Sequence, residues 1–314
     1  MQGSRSGVPF LDARHQTGRP LPSLDHAGLI DARVLPDPAF GAAWSAVILP
    51  EGEKERIART AAACFVLRRA LPFERLPLHG VLLLVGPPGT GKTTLARGLA
   101  DRVAHALAEV GSWAFLEINP HALASSSLGR SQQAVEQLFA NTIAETAVGG
   151  PLVVLIDEVE TLATDRRRMS FDANPADVHR AVDAVLVGLD QIARTCRDVL
   201  FVATSNFPEA IDDALVSRAD LTVQVAIPGE AARRAILEDT LRALAEAFPG
   251  AGALLDGSFL DRAARAAEGL DGRRLRKLVV GAAGRTRDST VDPGQIKPGD
   301  LLAAIAEAIK GACT

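Results

Sequence analysis

A glycine-rich stretch at residues 86–94 reads GPPGTGKTT. Gly86, Gly91, Lys92 and Thr93 satisfy the spacing G-x-x-x-x-G-K-[ST], in which backbone N–H groups surround phosphate oxygens. Glycines permit this close wrapping, and the start of a following helix adds positive charge. We predict that the lysine contacts the β- and γ-phosphates of ATP and that the threonine hydroxyl binds Mg²⁺. The predicted nucleotide-binding residues of the loop are Pro88, Gly89, Thr90, Gly91, Lys92, Thr93 and Thr94.

Two adjacent carboxylates, Asp157 and Glu158, follow the apolar run LVVLI. Ligands of open α/β sheets bind outside the carboxyl ends of the strands, where this pair would lie. Asp157 would hold Mg²⁺ together with Thr93, and Glu158 would polarise the attacking water. Paired acids also occur at helix starts, where they interact with the dipole. The phosphate loop upstream favours the catalytic interpretation.

The next apolar run ends in VATSN and places Asn206 at the same predicted edge. There its amide would lie beside Glu158 and orient the same water. An asparagine before FPEAID is also an ordinary turn residue. Taken alone, the pattern leaves both interpretations open.

Short apolar runs alternate with longer stretches of helical periodicity as far as Pro228. This alternation is typical of a parallel sheet with helices on both faces. Beyond Pro228 only helical patterns follow, which indicates a second, smaller domain. The five predicted strands are residues 80–85, 113–118, 152–156, 199–204 and 221–227.

The sequence divides into three predicted parts. Residues 1–39 are rich in Gly, Pro, Ser, Asp and Arg without periodicity, and we interpret them as an extended or partly disordered arm. Residues 40–228 form the predicted α/β nucleotide-binding domain, and residues 229–314 form the predicted helical domain.

Composition excludes several classes of function. The chain has 314 residues, a formal net charge of −4 and 4% aromatic residues, so neither nucleic acid nor an anionic membrane is an expected partner. No apolar run approaches the roughly 20 residues that span a bilayer, and the first residues show no secretory signal. Cys64, Cys196 and Cys313 lack metal-ligand spacing. We predict a soluble cytoplasmic protein.

The motifs together resemble those of the AAA+ ATPases over roughly residues 40–314. LEINPHAL, VLIDEVETLA, PADVHRAVDAVLVGLDQI, TSNFPEAIDDALVSRAD and EGLDGRRLRKL resemble the corresponding segments of the pachytene-checkpoint group, which remodels HORMA-domain proteins. The resemblance implies a parallel five-stranded sheet flanked by helices and followed by a small all-helical lid. It also implies a ring, most often of six subunits, that partly unfolds a HORMA-domain partner. Bacterial relatives act in anti-phage defence beside nucleotide second-messenger synthases.

The resemblance assigns arginines to the γ-phosphate. Arg218 in VSRAD would be the arginine finger, which reaches the nucleotide of the neighbouring subunit. Arg273 in GLDGRR would sense the γ-phosphate from the lid, with Arg274 and Arg276 as close competitors. A solvated basic helix start is the alternative for the last three.

Three further segments carry expectations from the resemblance. FGAAWSAVILP at 40–50 is similar to the linker of the adenine pocket, so Val47 and Ile48 would contact the base. Asn119 would hold Glu158 inactive until a partner docks, or would simply cap the strand end. In the expected pore segment, LASSSLGRS, Ser127 replaces the usual aromatic residue and leaves Leu128 as the apolar side chain that would contact the substrate. A short polar loop without a role in translocation is an equal alternative. Arg166, Arg167 and Arg168 would line the second pore loop, and a solvated flexible loop is the alternative for them.

Other functions remain open at the level of sequence. A nucleic-acid-acting AAA+ ATPase, such as a clamp loader or initiator, is one alternative, although the acidic balance opposes it. A general protein unfoldase is another. A scaffold that binds nucleotide without hydrolysis is a third, and the presence of Glu158 and Arg218 argues against it.

Overall fold

The computed structural model describes residues 19–24, 28–50, 52–124, 130–161 and 175–311. Within these ranges six strands form one sheet. The strands are β1 (Leu29–Leu35), β2 (Val81–Val85), β3 (Trp113–Ile118), β4 (Leu152–Ile156), β5 (Val199–Ser205) and β6 (Ala219–Gln224). Their order across the sheet is β1-β3-β4-β5-β2-β6.

The five predicted strands are all present and pair in parallel as β2 to β6. Strand β1 is an addition that pairs antiparallel with β3 at the edge. The predicted extended or partly disordered arm at 1–39 thus contains a paired strand that the sequence did not predict, and the predicted boundary at residue 40 falls inside the first helix, which begins at Pro38. The cause is tertiary: an edge strand is stabilised by its neighbour, so its own pattern can be weak.

Helices cover both faces of the sheet. They are α1 (Pro38–Ala46), α2 (Glu53–Ala70), α3 (Lys92–Ala106), α4 (Pro120–Ala124), α5 (Arg130–Gln137), α6 (Ala144–Val148), α7 (Pro175–Thr195) and α8 (Asp213–Val216). A π-helical segment at Leu138–Ile143 joins α5 to α6, and short 3-10 helices occur at Ala108–Val110, Val159–Thr161 and Pro208–Ala210.

Alternate residues of the central strands enter two different cores. In β4, Leu152, Val154 and Ile156 pack into the core on one face. Val153 and Leu155 pack into the core on the other face. A strand buried on both faces needs apolar side chains at every position, which explains the uninterrupted apolar runs of the sequence.

The lid has a hydrophobic core of its own. Its helices are α9 (Glu230–Ala247), α10 (Gly257–Ala266), α11 (Gly272–Ala283), α12 (Arg287–Val291) and α13 (Pro298–Lys310), with 3-10 turns at Pro249–Leu255 and Pro293–Gln295. Buried residues such as Leu237, Leu260 and Leu275 form a cluster separate from the two cores of the sheet. In the described part of the chain, no helix is long and apolar enough to cross a membrane.

Close packing on α3 positions the linker between β1 and α2. A Cβ atom at Gly98 would lie 2.6 Å from the Cα atom of Trp44, so glycine allows α1 to contact α3 directly. Lys54 Nζ donates hydrogen bonds to the carbonyl oxygens of Trp44 and Val47, at 2.8 and 2.7 Å. These contacts hold the end of the linker beside the start of α3.

Candidate nucleotide-binding site

Three neighbouring strands bring the predicted chemistry together. Strands β4, β5 and β2 are adjacent in the sheet and parallel, so their carboxyl ends meet at one edge. Asp157 follows β4, Asn206 follows β5, and the loop beginning at Gly86 follows β2. The order of the strands therefore brings Asp157, Asn206 and the phosphate loop close together, although they are far apart in the sequence.

Lys92 is the first residue of α3 and lies buried inside the loop. Its Nζ donates to the carbonyl oxygens of Gly86 and Pro87 at 2.8 and 2.9 Å and to Asn206 Oδ1 at 2.7 Å. Burial lowers the pKa of Lys92, while nearby carboxylates, Glu160 first, oppose that shift. The ammonium is therefore held among acceptors at the site where phosphate oxygens are predicted to bind.

Thr93 and Asp157 lie side by side. Thr93 Oγ1 donates to Asp157 Oδ1 at 2.8 Å, and Thr204 Oγ1 donates to the same oxygen at 2.5 Å. A hydroxyl beside a carboxylate supplies the hard oxygen donors that Mg²⁺ prefers. Since Mg²⁺ usually completes its octahedron with water and substrate phosphate, these two side chains are the predicted protein ligands of the ion.

Glu158 adopts a left-handed backbone with φ of +53°. For a residue with a Cβ atom this conformation costs about 1–2 kcal/mol, and such strain is concentrated at functional sites. The Glu158 N–H donates to Thr204 Oγ1 at 3.1 Å. Its Oε1 accepts from Asn206 Nδ2 at 3.0 Å, and its Oε2 lies 3.3 Å from His121 Nε2.

Asn206 connects the phosphate loop to the carboxylate. Its Oδ1 accepts from Lys92 and its Nδ2 donates to Glu158, while its own backbone N–H donates to Glu160 Oε1 at 3.0 Å. The side chain therefore has a fixed direction, and its amide nitrogen is on the side of Glu158. This contact is the one expected of a residue that orients the attacking water.

Two cavities meet at Gly89, Gly91, Thr94 and Arg273. The first has a volume of about 170 Å³ and is lined by Pro88, Gly89, Gly91, Lys92, Thr93, Thr94, Asp157, Glu158, Thr204, Asn206 and Arg273. The second has a volume of about 350 Å³ and a largely apolar wall, which includes Val47, Ile48, Leu49, Ala226, Pro228 and Ile236. A polar cavity joined to an apolar one matches a triphosphate joined to a base.

Val47 and Ile48, which were predicted to contact the base, line the apolar cavity and pack into different cores. Val47 belongs to a core of the sheet, whereas Ile48 packs against the core of the lid. Thr90, also predicted, lines this second cavity. The linker therefore contacts both domains where they enclose the cavity.

The three candidate lid arginines have different positions. Arg273 lines both cavities, and its backbone N–H donates to the Gly89 carbonyl at 3.2 Å. Arg274 pairs with Asp271, its own helix cap, at 3.4 Å. Arg276 donates to the Ala46 carbonyl at 2.8 Å and lines the apolar cavity but not the polar one. The geometry favours Arg273 for a contact with phosphate.

Arg218 lies outside both cavities. Its Nε and Nη2 donate to the two carboxylate oxygens of Asp190 at 2.7 and 2.8 Å, and Nη1 donates to the Ala214 carbonyl at 2.7 Å. The hydrogen bond from Arg218 lowers the pKa of Asp190. Among the described residues of one subunit, this guanidinium contacts none that line the two cavities. Its role as a finger on a neighbouring subunit stays a prediction.

Asn119 does not contact Glu158 in the described structure. Its Oδ1 accepts from the Ala122 N–H at 3.2 Å, and its N–H donates to the Gly28 carbonyl at 2.7 Å. Asn119 therefore caps the start of α4 directly after β3, and among the described residues of this segment His121 contacts Glu158. The pore residues Ser127, Leu128, Arg166, Arg167 and Arg168 lie outside the described residues.

Sequence reasoning missed Thr204. Its hydroxyl contacts both Asp157 and Glu158, although it lies within an apolar strand and is 1% exposed. The available signal was the polar pair Thr204–Ser205 at the end of a buried run, because buried hydroxyls require partners. Among the described residues, no group of three or more His, Cys, Asp or Glu side chains forms a separate metal site.

We expect Gly89→Ala to lower affinity for ATP by about 5- to 150-fold, the size of a local backbone strain of about 1–3 kcal/mol. Gly89 has φ of +81°, and an added Cβ would lie 2.3 Å from Asp271 Oδ1. The methyl group would thus separate the lid from the loop. Titration with a fluorescent ATP analogue measures the effect.

Gly229→Ala is the matched control, because its Cβ would meet open space. Gly229 is the N-cap of α9 and has φ of −68°. Both variants should retain the helical circular dichroism of the parent. An unchanged Kd for Gly89→Ala would contradict the inferred contact between lid and phosphate loop.

A phosphate loop, a carboxylate pair and a polar sensor on adjacent strand ends define a phosphate-loop nucleotide-binding protein. The family described as "ATPase family associated with various cellular activities (AAA)" matches residues 82–227. CD-NTase-associated protein 6 of Pseudomonas aeruginosa is 47% identical over 274 residues, which cover 87% of this chain and 90% of that protein. The chain therefore belongs to the AAA ATPases.

The resemblance to the pachytene-checkpoint group is also confirmed. Pachytene checkpoint protein 2 homolog of Arabidopsis thaliana is 30% identical over 309 residues, which cover 88% of this chain but 65% of that protein. A chain of the solved E. coli MS115-1 HORMA:CdnC:Trip13 complex aligns with a TM-score of 0.71 at 19% identity. The alignment covers 92% of this chain and 97% of that chain, and it shows agreement in fold.

Proposed function

We propose that this chain hydrolyses ATP as part of a cytoplasmic ring and uses the energy to remodel a HORMA-domain protein in anti-phage defence. The observation that carries the enzymatic part is the hydrogen-bonded sequence Lys92–Asn206–Glu158 beside the Thr93–Asp157 pair. These groups line one cavity and have the chemical types that phosphoryl transfer to water requires.

Nucleotide binding follows from the two cavities. The base would occupy the apolar cavity against Val47 and Ile48, and the phosphates would extend past Gly89 and Gly91 to Lys92. Thr93 and Asp157 would hold Mg²⁺, which neutralises charge on the β- and γ-phosphate oxygens. On binding, Lys92 would exchange its carbonyl acceptors for phosphate oxygens.

Hydrolysis requires a positioned water. Glu158 would accept a proton from that water, and Asn206 would keep the carboxylate and the water aligned. Arg273 would contact the γ-phosphate from the lid and so make the lid position depend on the state of the nucleotide. The strained backbone of Glu158 is consistent with a catalytic role, because a strained conformation is retained where it orients a side chain for function.

Completion of the site would require a second subunit. Arg218 contacts Asp190 rather than the nucleotide cavities, which suits a finger that acts on the neighbouring subunit. Stabilisation of transition-state charge by such a finger is worth about 10³–10⁵-fold in rate. Assembly, most simply as a six-membered ring by analogy with the family, would then activate hydrolysis.

The proposed partner rests on similarity. CD-NTase-associated protein 6 is 47% identical to this chain. The alignment with the pachytene checkpoint protein 2 homolog of Arabidopsis thaliana covers 88% of this chain. A protein of the same fold occurs in a complex that contains a HORMA protein and CdnC. We infer that the ring partly unfolds its HORMA-domain partner and releases the peptide or enzyme that the partner holds.

Release of a bound peptide tests this function. A HORMA-domain protein from the same genome, loaded with a fluorescent form of its peptide, should lose the peptide when the chain and ATP are added. Fluorescence anisotropy measures the release, and Lys92→Ala, which removes the phosphate contact, is the control without turnover. Retention of the peptide at normal ATP turnover would contradict the proposal, and stimulation of turnover by DNA would favour the nucleic-acid alternative.

A further inference from the structure

The carbonyls at the end of α1 accept hydrogen bonds from two cations of different domains. Lys54 Nζ, in the first turn of α2, donates to the carbonyl oxygens of Trp44 and Val47. Arg276 Nη2, on α11 of the lid, donates to the Ala46 carbonyl at 2.8 Å. The last carbonyls of a helix have no partner within it, and cations are favoured at that end. The end of α1 is therefore bound to both domains.

Arg276 is also fixed within the lid. Its Nη1 donates to Asp239 Oδ2 at 2.7 Å and to Thr240 Oγ1 at 3.3 Å, and both of these residues belong to α9. The guanidinium presents several N–H donors in one rigid plane, so one side chain can hold acceptors on two sides. Arg276 thus joins two lid helices to the linker.

The segment that Arg276 holds is a wall of the apolar cavity. Ala46, Val47 and Ile48 line this cavity from the linker, and Arg276 lines it beside them. Ile236 lines it from α9, one turn before the partners of Arg276 on that helix. A base in this cavity would lie between the linker and the lid. A contact that fixes the separation of these two walls therefore fixes the width of the cavity.

The polar cavity has a different arginine. Among the described residues, Arg273 lines that cavity and Arg276 does not. The two arginines are three positions apart on α11, yet Arg273 lies beside the phosphate loop and Arg276 beside the linker. Their surroundings separate a contact with phosphate from a contact that shapes the base cavity.

We propose that Arg276 is a positioning residue for the base of the nucleotide, which joins the linker to the lid and sets the width of the apolar cavity. The inference rests on the proposed binding of ATP in the two cavities. It gives Arg276 a role in affinity for the nucleoside part and none in contact with the γ-phosphate. Loss of its side chain would release the Ala46 carbonyl, widen the cavity and weaken contacts with the base, while the phosphate contacts remain.

The test compares a ligand that has the base with one that lacks it. Titration calorimetry of the full chain with Mg²⁺ measures the affinities for ADP and for inorganic pyrophosphate, neither of which has a γ-phosphate. We expect Arg276→Ala to weaken binding of ADP by about 2- to 12-fold, the net size of one hydrogen bond, and to leave binding of pyrophosphate unchanged. The KM for ATP should rise without a fall in kcat, as expected for a loss of uniform binding.

Two further variants show whether the effect is local. Arg242→Ala is the matched control, because it removes an arginine whose partner, Glu238, lies on the same helix, and it should bind ADP as the parent does. Asp239→Ala removes the lid acceptor of Arg276 and should also weaken binding of ADP. The double variant Asp239→Ala/Arg276→Ala should lose no more affinity than Arg276→Ala, since both side chains act through one contact. Fully additive losses would contradict the proposal.

Lys92→Ala separates failure of this inference from failure of the proposed function. Because Lys92 lies in the phosphate loop, its loss should weaken binding of both ADP and pyrophosphate. Suppose that it does so, but Arg276→Ala binds ADP with the parent affinity or loses affinity for pyrophosphate to the same extent. The role of Arg276 is then wrong and the proposed function stands. If Lys92→Ala leaves both affinities unchanged, the nucleotide site is wrong and both fail.

Discussion

Glu158→Gln should lower ATP turnover by about 10²–10⁴-fold, the usual contribution of a general base, while ATP binding is retained. Glutamine has nearly the same shape as glutamate, and its carbonyl oxygen can still accept the hydrogen bond from Asn206 Nδ2. It cannot accept a proton from water. Phosphate release measures turnover, and gel filtration with labelled ATP measures retention of the nucleotide.

Glu246→Gln is the control for that substitution. Glu246 lies on the exposed surface of α9, away from both cavities, so the same change of charge should leave turnover unaltered. A partner protein should also remain associated with ATP-loaded Glu158→Gln. Turnover at the parent rate in Glu158→Gln would overturn the assignment of the water-activating carboxylate.

Arg218→Ala should lower turnover by about 10³–10⁵-fold if its guanidinium acts on a neighbouring site. A mixture of Arg218→Ala with Lys92→Ala, each inactive by itself, gives a more specific test. A junction that pairs the intact Lys92 of one variant with the intact Arg218 of the other is a complete site. Mixed and reassembled subunits should therefore regain part of the turnover that each variant alone lacks.

Asp190→Asn distinguishes this role from loss of a local ion pair. That variant also breaks the bidentate contact with Arg218, yet it leaves the guanidinium available. It should retain most of the turnover that Arg218→Ala loses. Equal losses in the two variants, with no recovery on mixing, would show that Arg218 supports the fold of its own subunit and is not a finger.

The strands of the sheet were predictable because each central strand is buried on both faces. Runs such as LVVLI are apolar at every position, and β3 and β4 begin and end at the predicted residues. Strand β1 was missed because it lies at the edge and only its two ends are buried. Its place depends on pairing with β3, in which Leu29 lies opposite Ile118 and Leu35 lies opposite Trp113.

The phosphate loop was predictable for a different reason. Its glycines, lysine and threonine contact one ligand through residues that are neighbours in sequence, so their spacing carries the geometry. The partners of Glu158 come from three separate segments: His121 after β3, and Thr204 and Asn206 at the end of β5. No spacing rule connects those segments.

The amino-acid sequence by itself determined the parallel strands, the phosphate loop, the acidic pair and the change to an all-helical lid. Each of these depends on local pattern or on residues close together in the chain. The tertiary structure alone decided which lid arginine lines the phosphate cavity, that Arg218 pairs with Asp190, and that His121 rather than Asn119 contacts Glu158. These contacts join segments that are far apart in the sequence. They depend on the order of the strands and on the packing of the lid against the sheet, which the spacing of residues does not specify.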